Sequence, residues 1–329
     1  MNSMTTFGWL VKREYWETRR GFLWAPFWAA AAIIIITILG MIAGEVMKAR
    51  LGGGDHVYMG GISLSQMLSH ASADDLAQMG KALDATMVAF AVIVGIVLSF
   101  VIFFYLLGAL YDDRKDRSIL FWKSLPLSDT GTVLSKVIAA IIIAPAIAVA
   151  VVLAGYISLQ VLVSLWLLGH GANPIPLLWL HADPFALWFR MLVTIPVSAI
   201  WALPTVGWLL LWSAAARSKP FLWAIIVPII VGVLNLWVGL LDLPHIRESF
   251  YWRDLFGRAL FSMIPGSWVS PQMGEAGFAA HHGEMVTRGL LSYESMGRAL
   301  TTPDMWIGAA VGVALIAAAI WFRRWRDEA

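Results

Sequence analysis

The sequence has no cysteine, which excludes disulfides, thiolate metal sites and a cysteine nucleophile. Charge is scarce: 13% of the 329 residues are Asp, Glu, Lys or Arg, against about 25% in an ordinary soluble domain. No Walker motif is present, because Gly52-Gly53-Gly54 is not followed by the Lys-Ser/Thr that a phosphate-binding loop needs. The centres of the long apolar runs hold no ionisable residue. Glu45, Arg190 and Asp242 fall near their ends, and Asn235 is the one buried amide, suited to joining helices. Internal repeats, a cleavable leader and a low-complexity tail are not evident either. A net charge of +2 gives no reason to expect a nucleic-acid partner.

What is present is apolar sequence in long unbroken runs: 60% of the chain is hydrophobic and the mean hydropathy is +0.75. That places it among all-α polytopic membrane proteins. Six transmembrane helices are expected, at about 22–43, 86–110, 132–156, 185–212, 221–241 and 306–322. Residues 1–21 read as an interfacial N-terminal helix, with Phe7, Leu10, Val11 and Tyr15 on one arc and Trp9 and Trp16 among Lys12, Arg13, Arg19 and Arg20 on the other. The remainder, 22–329, is the six-span domain.

The apolar region from Thr132 to Leu168 is too long for one span. Pro145 and Gly155 offer break points, so residues 157–168 are expected to lie at the interface with Gln160 and Ser164 facing water. Pro196 and Pro204 predict kinks in the fourth span. The segment Ser72 to Lys81 reads as a short helix capped by Ser72. Two larger loops, 45–85 and 242–303, should contain short helices. In the second, RESFYWRDLFGRALFSM mixes aromatics with charge and suits a helix at or dipping into the interface. Lys and Arg concentrate in 1–21, 112–130, 214–220 and the tail, while the 170–184 loop has none. The positive-inside rule then puts both termini in the cytoplasm and the 45–85 and 242–303 loops outside. The location expected is the cytoplasmic (inner) membrane.

The most polar stretch between spans is DDRKDRSILFWKSLPLSD, residues 112–129. Acids at its start suit a helix N-terminus, and Ile119, Leu120, Phe121 and Trp122 form an apolar cluster too short to cross a bilayer. Leu125-Pro126 ends that helix and Ser128 caps the next. An aromatic anchor inside a charged rim suits a protein interface; the same aromatics could instead lie on the bilayer.

The order of an acid-rich span exit, Asp116-Arg117-Ser118-Ile119-Leu120, Ser124-Leu125-Pro126-Leu127-Ser128 and Leu134-Ser135-Lys136 resembles the permeases of type-2 ABC exporters. A basic N-terminal helix, six spans and a large loop between spans five and six follow that family's plan. The 45–85 loop departs from it by its size. The resemblance implies a coupling helix at 112–125 that fits a groove on an ABC ATP-binding subunit through Asp113, Arg114, Asp116, Arg117, Ile119, Leu120, Phe121, Trp122 and Leu125. It implies a second contact through Arg13, Glu14 and Glu17. It further implies two copies of the ATP-binding subunit, a second permease copy or paralogue, and a 242–303 loop that gates the outer mouth. ATP and Mg would then belong to the partner, with no cofactor, metal or catalytic residue in this chain. The substrate expected from the apolar lining is hydrophobic or amphipathic.

Two other functional classes stay open: a membrane-embedded enzyme or interaction scaffold with its site in 242–303, and a secondary transporter. His281-His282-Gly-Glu284 and His181-Ala-Asp183 could supply metal ligands, but adjacent histidines point apart on any regular element, and no HExxH is present. Gly308 and Gly312 would allow close helix contact, either between copies or within one chain.

Overall fold

The computed structural model describes residues 3–50, 58–59, 62–63, 73–116, 127–180, 183–269 and 291–325. They form helices almost throughout, and six are long and apolar enough to cross a membrane. This is a multi-pass membrane protein. In chain order, α1 is Ser3–Arg50, followed by a minimal antiparallel pair, β1 (Tyr58–Met59) and β2 (Ile62–Ser63). The second long helix, α2, is Ala73–Ala109, and a short α3 is Tyr111–Lys115. Asp129–Gly169 forms α4, Pro184–Ala215 forms α5 and Pro220–Leu240 forms α6. A π-helical segment, Phe250–Phe256, runs into Gly257–Phe261 as α7. Tyr293–Thr301 is α8 and Pro303–Trp325 is α9. The spanning helices are α1, α2, α4, α5, α6 and α9.

The elements are longer and more continuous than the sequence predicts. There is no break between an interfacial helix and the first span: α1 is one helix of 48 residues with Pro26 inside it. Proline removes one backbone bond, and an apolar surrounding favours keeping all the others. Lys12 sits 4.8 Å over the Trp9 ring on the outer face of α1. The helix expected at 72–81 is the first part of α2, with Ser72 itself outside the described residues.

Residues 157–168 are likewise not a separate interfacial helix. The 41 residues of α4 are continuous, with a π-turn at Ala139–Ile143 immediately before Pro145. Gln160 and Ser164 are buried, not facing water. Gln160 Nε2 donates to Leu178 O at 3.2 Å, and Ser164 Oγ accepts from Trp179 Nε1 at 3.0 Å. Together they hold a π-helical turn, Ile175–Trp179, against α4. Pro196 and Pro204 lie within an unbroken α5. In α6, Pro228 cannot donate to Ala224 O, and the Trp208 indole of α5 donates to that carbonyl at 3.0 Å instead.

The core lies among α1, α2, α4 and α5, centred on Phe22, Met87, Val94, Leu106 and Tyr156. The closest crossing is α5 on α9. A Cβ at Gly207 would meet Gly312 O at 2.5 Å, and one at Gly312 would meet Leu203 C at 2.4 Å. Backbone therefore lies on backbone, and Gly312 is used within the chain. Asn235 of α6 exchanges two hydrogen bonds with the Ile246 backbone, at 2.8 and 2.9 Å, and folds the following segment back along the helix.

Candidate functional site

At one end of the bundle, the start of α1, the exit of α2, the start of α4 and the end of α9 meet in a charged network. Glu14 is 1% exposed and is its centre. Its Oε1 accepts from Arg13 at 2.7 Å and pairs with Lys136 Nζ at 3.3 Å, while Oε2 accepts from the Tyr105 hydroxyl at 3.0 Å. Lys136 also reaches Asp113 Oδ2 at 3.7 Å. Arg323, itself 3% exposed, joins Asp113 at 3.3 Å to Asp129 at 3.2 Å. A buried charge is costly unless paired, so these partners hold one another in place.

A second set of contacts brings in α5. Arg114 is 5% exposed and donates to the carbonyls of Ser213 at 2.7 Å and Ala216 at 3.0 Å. Ser213 Oγ accepts from the amides of Leu110 at 2.9 Å and Tyr111 at 3.1 Å, at the break between α2 and α3. Beyond the polar stretch, Ser128 caps α4 by accepting from Gly131 N at 3.0 Å, as its position predicts. The described residues on either side of 117–126 are thus anchored: Asp113 and Arg114 before, Asp129 and Lys136 after.

Arg117, Ile119, Leu120, Phe121, Trp122 and Leu125 lie outside the described residues. Asp116 and Glu17 are exposed at the surface beside the network, and Arg13 pairs with Glu17 at 3.3 Å. Glu14 and Arg114 are turned inward and root the stretch instead of lying on the surface. The sequence reading missed Asp129, Tyr105, Ser213 and Arg323 as members. Lys136 carried a signal, since a lone cation inside an apolar run needs an internal partner.

At the opposite end, His170 Nε2 lies 2.8 Å from Glu45 Oε1 and Nδ1 lies 2.8 Å from Trp166 O, tying the end of α1 to the end of α4. Asp183 there caps α5, its Oδ1 accepting from Ala186 N at 3.0 Å. His181, His281, His282 and Glu284 lie outside the described residues.

The segment between α6 and α9 goes deeper than an interface helix. Thr205, inside α5, donates to Arg258 O at 2.6 Å and accepts from Ser262 N at 3.1 Å, fixing α7 against the middle of the bundle. Pro265, in the turn after α7, packs so closely on α2 that a Cβ at Gly95 would lie 2.5 Å from it. Arg258 packs into the notch left by Gly308, where a Cβ would meet NH2 at 2.2 Å. Gly308 precedes Arg323 by 15 residues, about 22 Å along α9. A cation therefore stands at membrane depth, although the centres of the apolar runs contain none.

Two cavities flank α7. One of about 170 Å³, mostly apolar, lies among α2, α4, α5 and the turn after α7. The other, about 770 Å³, lies among α5, α6, α7 and α9. No family model, curated protein or solved structure matches the chain.

Proposed function

We propose that this chain is the membrane subunit of an ATP-driven exporter of the type-2 ABC class, driven by a separate ATP-binding subunit that docks on residues 112–125. The observation that carries the proposal is the anchoring of that stretch. Its flanks are tied by the Glu14–Lys136–Asp113–Arg323–Asp129 chain and by Arg114 to α1, α2, α4, α5 and α9. A push on 117–126 would reach five spanning helices at once. A loop that merely joined two spans would need no such connections.

The positive-inside bias supports a cytoplasmic position for the network, with both termini on that side. The chain would pair with a second copy or a paralogue, and ATP and Mg would bind the partner. Arg258 does not favour coupling to a proton gradient, because a guanidinium keeps its proton at physiological pH.

The test is copurification of an ATP-binding subunit encoded beside this chain. Trp122→Asp or Arg117→Glu should abolish capture while leaving the membrane chain folded. Capture and stimulated ATPase that survive both changes would overturn the docking assignment.

A further inference from the structure

We infer that the smaller cavity, among α2, α4, α5 and the turn after α7, binds a small neutral aromatic molecule of one-ring size. Its volume, about 170 Å³, matches that of apolar cavities of about 150 Å³, which stay dry and take up benzene. Among the described residues its walls hold no Asp, Glu, Lys, Arg or His, so a charged ligand would be buried there without a partner. Four hydroxyls line it, and each already donates to a backbone carbonyl. Ser99 Oγ lies 2.8 Å from Gly95 O and 2.9 Å from Met263 O. Thr194 Oγ1 donates to Arg190 O at 2.8 Å, Ser198 Oγ to Thr194 O at 2.9 Å and Ser262 Oγ to Arg258 O at 2.8 Å. The indole N–H of Trp268, without a partner among the described residues, is sealed off and does not face the cavity. A ligand that must be given a proton to bond with finds none on offer. What remains is apolar surface. It includes the thioethers of Met191 and Met263 and the Trp268 ring, which favour an aromatic ring over an alkane of equal size.

Polar struts hold the walls apart. Ser99 ties α2 to the Met263 carbonyl, and Thr205 ties α5 to α7 through Arg258 O at 2.6 Å and Ser262 N at 3.1 Å. Pro265 already rests on α2 at Gly95, so the turn cannot settle further onto that helix. On the far side, the π-turn of α4 puts Ala140 and Ile141 in the wall, with Pro145 just beyond. Such turns recur at functional sites. Protein interiors leave few voids larger than a water molecule, and a void that cannot collapse forfeits packing until something fills it. An occupant here would touch three spanning helices and the α7 turn together.

The test is fluorine NMR of fluorobenzene with the purified chain in neutral maltoside detergent. The parent should give a bound resonance, distinct from the micelle resonance, that saturates at one equivalent per chain. Ser198→Phe puts a ring into the cavity and gives up only a bond within its own helix, so it should abolish that resonance. Met191→Ala enlarges the cavity and should let fluoronaphthalene bind at least tenfold tighter than the parent does. Fluorocyclohexane should bind the parent at least threefold more weakly than fluorobenzene, and para-fluorobenzoate should not bind. The absence of a saturable bound resonance in the parent overturns the site. So does a resonance unchanged in Ser198→Phe, which would place the probe elsewhere. Equal binding of para-fluorobenzoate or fluorocyclohexane overturns the neutral aromatic class. If Ser198→Phe does not fold, Ala148→Met, which fills the same space from α4 with a flexible chain, decides the matter. The assay contains no ATP-binding subunit, so its result is independent of whether one docks at the charged network.

Discussion

At the scale of single residues, the protein's charges act as fasteners. Lys136 and Glu14 are both buried and face each other at 3.3 Å. Removing Lys136 takes a counter-charge from both Glu14 and Asp113, although Glu14 keeps Arg13 and Tyr105. Breaking a buried pair typically costs about 3–5 kcal/mol, and the remaining partners put this one toward the lower end. Lys136→Met should therefore lower the thermal midpoint in detergent strongly. Lys136→Met combined with Glu14→Gln should recover part of that loss. A strictly additive pair would show that the two side chains do not interact. Trp208→Phe is a gentler probe. It keeps the ring but removes the donor to Ala224 O, and should cost about 1 kcal/mol. Circular dichroism during heating would register both.

At the scale of elements, contact distance decides. Gly312→Val would drive side-chain carbons into the Leu203 backbone, 2.4 Å from the first added atom. Overpacking normally costs about 1–3 kcal/mol when side chains can yield. Here the obstacle is backbone, so Gly312→Val should abolish folded monodisperse protein in size-exclusion chromatography. Gly169→Ala, with open space around its Cβ, should elute like the parent.

The same contrast explains what the sequence made legible. Spans were readable because apolar runs of the required length have few other uses. Their ends were not, because Gln160 and Ser164 look like solvent-facing residues until Leu178 and Trp179 return to pair with them. The polar stretch at 112–129 was visible as charge amid apolar sequence. Its network was not, since Arg323 and Asp113 are 210 positions apart. Arg258 was hidden for a related reason. It belongs to a loop in sequence, and only the Thr205 hydroxyl, by accepting and donating along α7, carries it to depth.

At the scale of the whole molecule, the exporter reading requires force to pass from one end into the spans. Asp129→Asn weakens one joint, the 3.2 Å contact with Arg323, without touching 112–125. If the network transmits motion, this variant should still capture the ATP-binding subunit, yet its ATPase should lose several-fold of its response to substrate. Loss of capture itself would place Asp129 in docking instead. The bundle also has an uneven distribution of ties. Between them, α1 and α4 are joined by Glu14–Lys136 at one end and Glu45–His170 at the other, with Gly155 packed against Ala30 and Phe90 between. Two rods fixed at both ends behave as a stator. By contrast, α6 has neither joint and stands beside the large cavity. Spin labels on α1 and α4 should accordingly keep one distance throughout a turnover cycle, while a label pair across α6 and α9 should report two.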